Sequence, residues 1–361
     1  MLAHIKYGYA EVFCLAVDAF RRQIGKEFSM IIVTGGAGLI GSAVVHELNR
    51  RGRDDILVVD HLASGVKWKN LIALRFLDYL EKDDFLRLVT EDRLITTTTG
   101  SGNGIEAILH LGACSATTEQ DASYLVRNNF GYTKQLALYA VRNDIRFIYA
   151  SSAATYGDGV GGFCDDDAGL NELHPLNMYG YSKQLFDVWA RDNGLLDRIV
   201  GLKYFNVFGP NEYHKGEMRS LVLKAYEQIH STGKLRLFKS HRNGYGDGEQ
   251  QRDFIYVKDA AAMTLHFLDN QQASGIFNIG SSQANSWNRL AAAIFRALGR
   301  PERIEYIDMP EAIRETYQYH TCADIAKLRQ SRYNQEITPL EKAVEDYVKN
   351  YLVPGKQLGD R

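Results

Sequence analysis

Cysteine is scarce in this chain. Its 361 residues hold four, Cys14, Cys114, Cys164 and Cys322, widely scattered and with no C-x-x-C pair. That spacing excludes a disulfide framework and a structural zinc site, and no metal is expected; it suits the reduced thiols of the cytoplasm. An excess of charge of one sign is also lacking. Lys and Arg number 42 against 44 Asp and Glu, a formal net charge of −2. The general electrostatic case for nucleic acid or an anionic membrane as partner falls with it. No apolar run approaches the roughly 18 residues of a membrane span. What remains, 45% hydrophobic and 24% charged residues, is the composition of a soluble globular protein. The length admits one large domain or two modest ones.

The first half alternates apolar runs with helical stretches. Strands are expected near 31–34, 56–60, 107–111, 146–151 and 199–204, and helices near 41–51, 82–90, 121–142 and 179–193. Such alternation gives right-handed crossovers and a parallel, doubly wound α/β sheet. Ligands then sit at the carboxyl ends of the strands. Two segments of low hydrophobicity, 96–102 and 240–248, read as surface loops, with a mobile lid as the other reading. The rhythm fades after Pro210, which suggests a smaller second domain. Ile276-Phe277-Asn278-Ile279-Gly280 reads as a strand returning to the main sheet.

The run Ile31-Ile32-Val33 leads into Thr34-Gly35-Gly36-Ala37-Gly38-Leu39-Ile40-Gly41, and an amphipathic stretch follows. Strand, glycine turn and helix is the Rossmann-type context in which a dinucleotide pyrophosphate rests on a helix N-terminus. Gly35, Gly36, Gly38 and Gly41 serve the turn, close backbone approach and helix packing, with Leu39 and Ile40 inside the same run. Asp60 ends the second strand about 20 residues on, where an acid accepts from ribose hydroxyls and favours NAD. His61 adjoins it, and Lys67 and Lys82 follow. Those cations suit a 2′-phosphate, or are plain solvated lysines, so the residues leave NAD and NADP open. Leu111, Gly112, Ala113 and Ser115 end the next strand, small enough for close passage under the nicotinamide-side ribose. Cys114 among them reads as a small buried thiol, not a nucleophile. Nucleotide-binding chains of this kind start close to the first strand. Residues 1–29, whose short apolar core Val12–Val17 is broken by Asp18 and lacks a cleavage site, read as a non-catalytic extension. The cofactor domain is then 30–206 plus about 253–283, and the substrate domain about 207–252 plus 284–350.

Tyr179 and Lys183 stand four apart and project from one helix face. A nearby ammonium is expected to lower the phenol's pKa toward working pH. Ser152 follows the strand at 146–151 and can hydrogen-bond the reacting oxygen. Ser152, Tyr179 and Lys183 resemble the triad of the short-chain dehydrogenase/reductase superfamily. The stretches 203–210 (KYFNVFGP) and 252–259 (RDFIYVKD) are similar to motifs of its extended branch, where Lys203 replaces the usual Arg. That branch acts mostly on nucleotide sugars. Its dehydratases carry an Asp-Glu pair beside the serine; Ala153 and Ala154 cannot do that acid–base work.

A narrower resemblance rests on Gly112 to Glu119 (GACSATTE), Asn128-Asn129, His214-Lys215-Gly216-x-Met218 and Tyr317-Gln318. With these the chain resembles the ADP-L-glycero-D-manno-heptose 6-epimerase family from Met30 to about Asn350. The resemblance implies a tightly bound NADP, a homo-oligomer (a pentamer in that family) and a role in heptose supply for the lipopolysaccharide inner core. It implies acid/base roles for Tyr179 and Lys215, with Lys183 orienting the nicotinamide ribose. It places Asn128 and Val207 by the cofactor, and Asn206, Lys215, Phe238, Arg252 and Tyr317 at the sugar nucleotide. Glu217 and Lys224 depart from the Ser and His of that family. Two other readings stand beside it: a UDP-hexose 4-epimerase, and a non-catalytic NADP-sensing protein, which would typically have lost the tyrosine or the lysine.

Overall fold

In the computed structural model, residues 29–94, 104–314 and 317–360 are described. The expectations for residues 1–28 and for the loop 96–102 lie outside them. Strand β1 (Met30–Thr34) is buried at every position. Its unbroken run of Ile and Val fits a strand covered on both faces. Around it lie β2 (Ile56–Asp60), β3 (Asp78–Glu81), β4 (Ile105–His110), β5 (Arg146–Ser152), β6 (Val200–Tyr204) and, from far along the chain, β10 (Gly275–Ile279). They form one seven-stranded sheet in the order β10-β6-β5-β4-β1-β2-β3, and every pairing is parallel.

Side chains alternate between two cores. Ile31 and Val33 face α1 (Leu39–Arg50) and α7 (Val257–Asp269). Met30 and Ile32 face α2 (Lys82–Thr90), α4 (Tyr132–Arg142) and α5 (Met178–Asp192). The chain leaves β1 toward β2 on one side and toward β4, by way of β3, on the other. That reversal opens a crevice beyond the carboxyl ends of β1 and β4.

The helix expected over 121–142 is broken. A short α3 (Ala122–Leu125) passes through a π turn at Val126–Gly131 before α4 begins. The extra residue in a π turn swings its neighbours off the helical stripe. Here it directs Asn128 to Lys82, and Asn129 to the backbone of Cys114.

Beyond β6 the chain builds a smaller layer. β7 (Asn206–Phe208) pairs in parallel with β9 (Gln251–Tyr256), which pairs antiparallel with β11 (Ala284–Ser286). β8 (Leu235–Phe238) pairs with β12 (Ile304–Ile307). Helices α6 (Leu221–Thr232) and α9 (Leu340–Tyr347) both pack against α8 (Trp287–Ala297). The segment 240–248 forms no helix or strand. Among the described residues no helix is long and apolar enough to cross a membrane, and no group of His, Cys, Asp and Glu could hold a metal ion.

Candidate active site

The glycine turn closes against the loop after β4. Gly35 has φ +69°, and a Cβ there would lie 2.6 Å from the Gly112 nitrogen. A Cβ on Gly41 would strike the Gly35 carbonyl. Backbone this close, with Gly38 giving α1 no side-chain cap, leaves helix N–H groups for an anion. These residues fit a dinucleotide pyrophosphate. Gly36 takes the packing role among those expected of these glycines. It faces Val58, whose Cγ1 would be 2.9 Å from its Cβ, so it serves packing and does not line the cleft.

A hydrogen-bonded chain fixes the loop after β4. Burial pulls the His110 pKa down to about 3, so the ring is neutral. The Thr133 hydroxyl donates to Asn129 O. It therefore accepts from His110 Nε2 (2.8 Å), which leaves Nδ1 to accept from Thr34 Oγ1 (2.6 Å). Thr34 Oγ1 in turn accepts from the Gly112 N–H at 3.2 Å. Proton positions along this chain follow from donor counting.

A cleft of about 430 Å³ runs along these carboxyl ends. Gly35, Gly38, Leu39, Ile40, Gly41, Asp60, His61, Lys67 and Lys82 line it. So do Leu111, Gly112, Ala113, Ser115, Asn128 and Val207. Asp60 is buried and already engaged. Its Oδ2 accepts from Ala37 N (2.8 Å), and its Oδ1 accepts from His61 N (2.7 Å) and Lys67 Nζ (2.5 Å). Cys114 corrects its expectation: it is half-buried and lines the cleft.

Ser152, Tyr179, Lys183 and Lys215 line the same cleft. Asn177 starts α5 by accepting from Gly180 N at 2.8 Å, which sets Tyr179 and Lys183 one turn apart on its inner face. The expected lowering of the Tyr179 pKa is not found. Burial raises it, and the hydrogen bond with Ser152 opposes that rise. Lys183 is turned away from this task; its Nζ donates to Ala150 O at 2.8 Å. Burial brings the Lys183 pKa down to about 8, against the pull of Asp187. The ammonium is therefore present below about pH 8 and lost above it. A dinucleotide contact made by that ammonium weakens above that pH, and Kd measured by titration calorimetry at pH 7 and pH 9 should rise by about tenfold.

Lys215 sits on the turn Tyr213–Met218, kinked where Gly216 adopts φ +53°. Burial lowers its pKa and Glu212 opposes that. His214, which the sequence reading passed over, also lines the cleft. It is held to a pKa of about 4 by burial and by Lys67 and Lys215. Its place in the H-K-G-x-M element was the available signal.

The expected substrate residues divide. Phe238 and Tyr317 line a second cavity of about 810 Å³, with Trp287, Arg219 and Lys224. Arg252 is nearly covered behind them. Its guanidinium stands 5.1 Å from the Tyr317 ring centroid and 5.7 Å from that of Trp287. Trp287 Nε1 donates to the Tyr317 hydroxyl at 2.9 Å. Asn206 is exposed on β7 and lines neither cavity. The departing pair is in contact: Lys224 Nζ donates to Glu217 O (2.5 Å) and lies 3.3 Å from its Oε2. Trp287 carried no sequence signal.

Residues 31–280 match the model of the NAD dependent epimerase/dehydratase family. A protein of Nitratidesulfovibrio vulgaris named ADP-L-glycero-D-manno-heptose-6-epimerase is 52% identical over 323 residues, 90% of this chain and 98% of that one. Its namesake from Fusobacterium nucleatum is 47% identical over 333 residues, with the same coverage. The crystal structure of the Helicobacter pylori enzyme of that name has a TM-score of 0.73 at 28% identity, over 90% of this chain and 96% of that one. The chain belongs to the NAD-dependent epimerase/dehydratase family, within its group of ADP-L-glycero-D-manno-heptose 6-epimerases.

Proposed function

We propose that this chain interconverts ADP-D-glycero-D-manno-heptose and ADP-L-glycero-D-manno-heptose by inverting C6″. The observation that carries this is the placement of two acid/base candidates, Tyr179 and Lys215, in the cleft that holds the glycine turn. The names of its relatives supply the substrate. A dinucleotide whose pyrophosphate is held at the turn would supply, through its nicotinamide, a reversible hydride acceptor, so that no net oxidation results. Tyr179 and Lys215 hold and move the proton of the 6″-oxygen, one for each face of the carbon. C6″ is exocyclic. As a planar ketone it can present its second face by rotation about the C5–C6 bond, where a ring carbon would need the whole sugar to turn over. Phe238, Tyr317 and Arg252 hold the ADP end. A guanidinium suits a diphosphate because its planar fork binds two oxygens at once.

We infer NADP in preference to NAD. In support, the Asp60 carboxylate is already spent on two backbone N–H groups and Lys67, while Lys67, His61 and Lys82 line that end of the cleft. Lys67→Ala should raise the Kd for NADP about tenfold and leave that for NAD within about twofold, since a charge-assisted contact of this kind contributes about 1.5–3 kcal/mol. Equal losses for both would overturn the NADP assignment.

The function itself is tested by proton NMR of purified protein with ADP-D-glycero-D-manno-heptose and no added cofactor. Conversion to the L-glycero epimer is expected. No conversion after adding NADP or NAD, together with turnover of a UDP-hexose, would replace this substrate.

A further inference from the structure

Glu212 is fully buried, three residues before Lys215. Its Oε1 accepts from Ser220 Oγ at 2.6 Å and from Gly209 N at 3.5 Å, and its Oε2 from Ser220 N at 2.5 Å. One carboxylate thus gathers both ends of the segment 209–220. The Glu212 carbonyl accepts from Lys215 N at 3.0 Å. The residue before it ties the segment to the rest of the site. Asn211 donates to Ser42 Oγ on α1 (3.0 Å), and its carbonyl accepts from Asn70 (2.9 Å). Asn70 also donates to Ala37 O in the glycine turn (2.8 Å) and contacts His214 Nδ1 at 3.2 Å.

Burying a carboxylate is costly unless something offsets its charge. The donors around Glu212 are neutral; burial raises its pKa, and the bonds from Ser220 and Gly209 and the charge of Lys215 oppose that rise. What a carboxylate adds is charge. His214 is neutral. Lys67 and Asp60, from the neighbouring turn and the end of β2, are paired with each other. Tyr213 and Tyr347 near Glu212 carry phenols that burial keeps protonated, as it does Tyr179 on the cleft wall. Lys183, on that wall, is anchored to Ala150. On the same segment and the helix after it, Arg219 is taken up by Gly216 O and Glu227 and Lys224 by Glu217, so among the described residues Lys215 is the cation whose charge acts on Glu212.

We propose that Glu212 is a positioning residue for Lys215: its carboxylate closes the turn that carries the lysine and acts on it as a buried counter-charge. This rests on Lys215 serving as an acid/base, and it adds the group that holds Lys215 charged and in place. Glu212 keeps the proton on Lys215 against desolvation. Without that charge the lysine deprotonates at lower pH.

The test compares the pH profile of kcat in wild type, Glu212→Gln, Lys215→Ala and the double variant, each checked for folding and retained cofactor. Glu212→Gln should cut kcat about tenfold and move the limb belonging to Lys215 to lower pH by about one unit. In the Lys215→Ala background the same change should alter kcat by less than about twofold, since it acts through the missing lysine. A purely structural role would lower kcat in both backgrounds and leave the limb in place, which overturns the proposal. Near-normal turnover of Lys215→Ala would instead sink the acid/base reading of that lysine. If Glu212→Gln does not fold, Glu212→Asp decides. It keeps the charge and shortens the reach, so kcat should fall with the limb unmoved; a limb shifted to lower pH would overturn the proposal.

Discussion

Tyr179→Phe is expected to lower turnover by about a thousandfold while the protein still folds and retains its cofactor. Loss of a positioned acid/base costs about 10²–10⁴, and Phe removes only the oxygen. The ring, set by the Asn177 cap and the inner face of α5, stays in place. Its hydroxyl is the partner of Ser152, and burial holds that hydroxyl protonated. A neutral phenol at neutral pH can donate a proton but cannot accept one. Its action as a base therefore requires added positive charge, such as an oxidised nicotinamide held beside it would supply. Turnover read by NMR and cofactor content read by absorbance after denaturation separate the cases. Full activity with bound cofactor would remove Tyr179 from the chemistry. Loss of both activity and cofactor would mean that the hydroxyl serves binding.

The main sheet is legible in the sequence because parallel strands buried on both faces are unbroken apolar runs, as in Ile31-Ile32-Val33 and Ile56 to Val59. Edge strand β3 escapes the same reading. Asp78-Tyr79-Leu80-Glu81 is covered mainly at Leu80, so it carries neither an apolar run nor a clean alternation. The π turn at Val126–Gly131 has no compositional signal, although it is what aims Asn128 and Asn129. The glycine turn and the Tyr179–Lys183 pair could be read because their chemistry depends on spacing within one element. The second cavity could not. Phe238, Trp287 and Tyr317 come from separate elements and meet only through the fold; Phe238 and Tyr317 were reached by resemblance, and Trp287 was not reached at all. The Tyr179 pKa failed for a related reason. An ammonium four residues away is visible in sequence, whereas desolvation is the sum of everything packed around the phenol, and here it wins.

Lys203→Met should cost about 3–5 kcal/mol of stability, the usual penalty for stripping one partner from a buried ion pair. Lys203 has no exposed surface and lies 2.9 Å from Asp187 Oδ2. Its ammonium also donates to Thr155 Oγ1 (2.6 Å) and sits 5.1 Å from the Tyr156 ring centroid. Asp187 is equally covered. Without Lys203 it keeps two neutral donors, the Tyr149 hydroxyl at 2.9 Å and the Ser151 hydroxyl at 2.6 Å. Two such bonds do not replace a cation in a dry site. Met has nearly the volume of Lys, so a cavity adds little and the loss reads mostly as uncompensated charge. The double variant Lys203→Met, Asp187→Leu should recover part of it, because an apolar pair can replace a buried ion pair at little net cost. Urea unfolding of the three proteins checks this, and a single variant within about 1 kcal/mol of wild type would refute it. The same change reaches the active site. Asp187 stands one turn beyond Lys183 on α5, and its charge already opposes the loss of that lysine's proton. Freed of Lys203, it should hold the Lys183 ammonium to higher pH. The fall in dinucleotide affinity expected of wild type near pH 8 should then move upward in Lys203→Met, coupling the Lys203–Asp187 ion pair to the charge of Lys183.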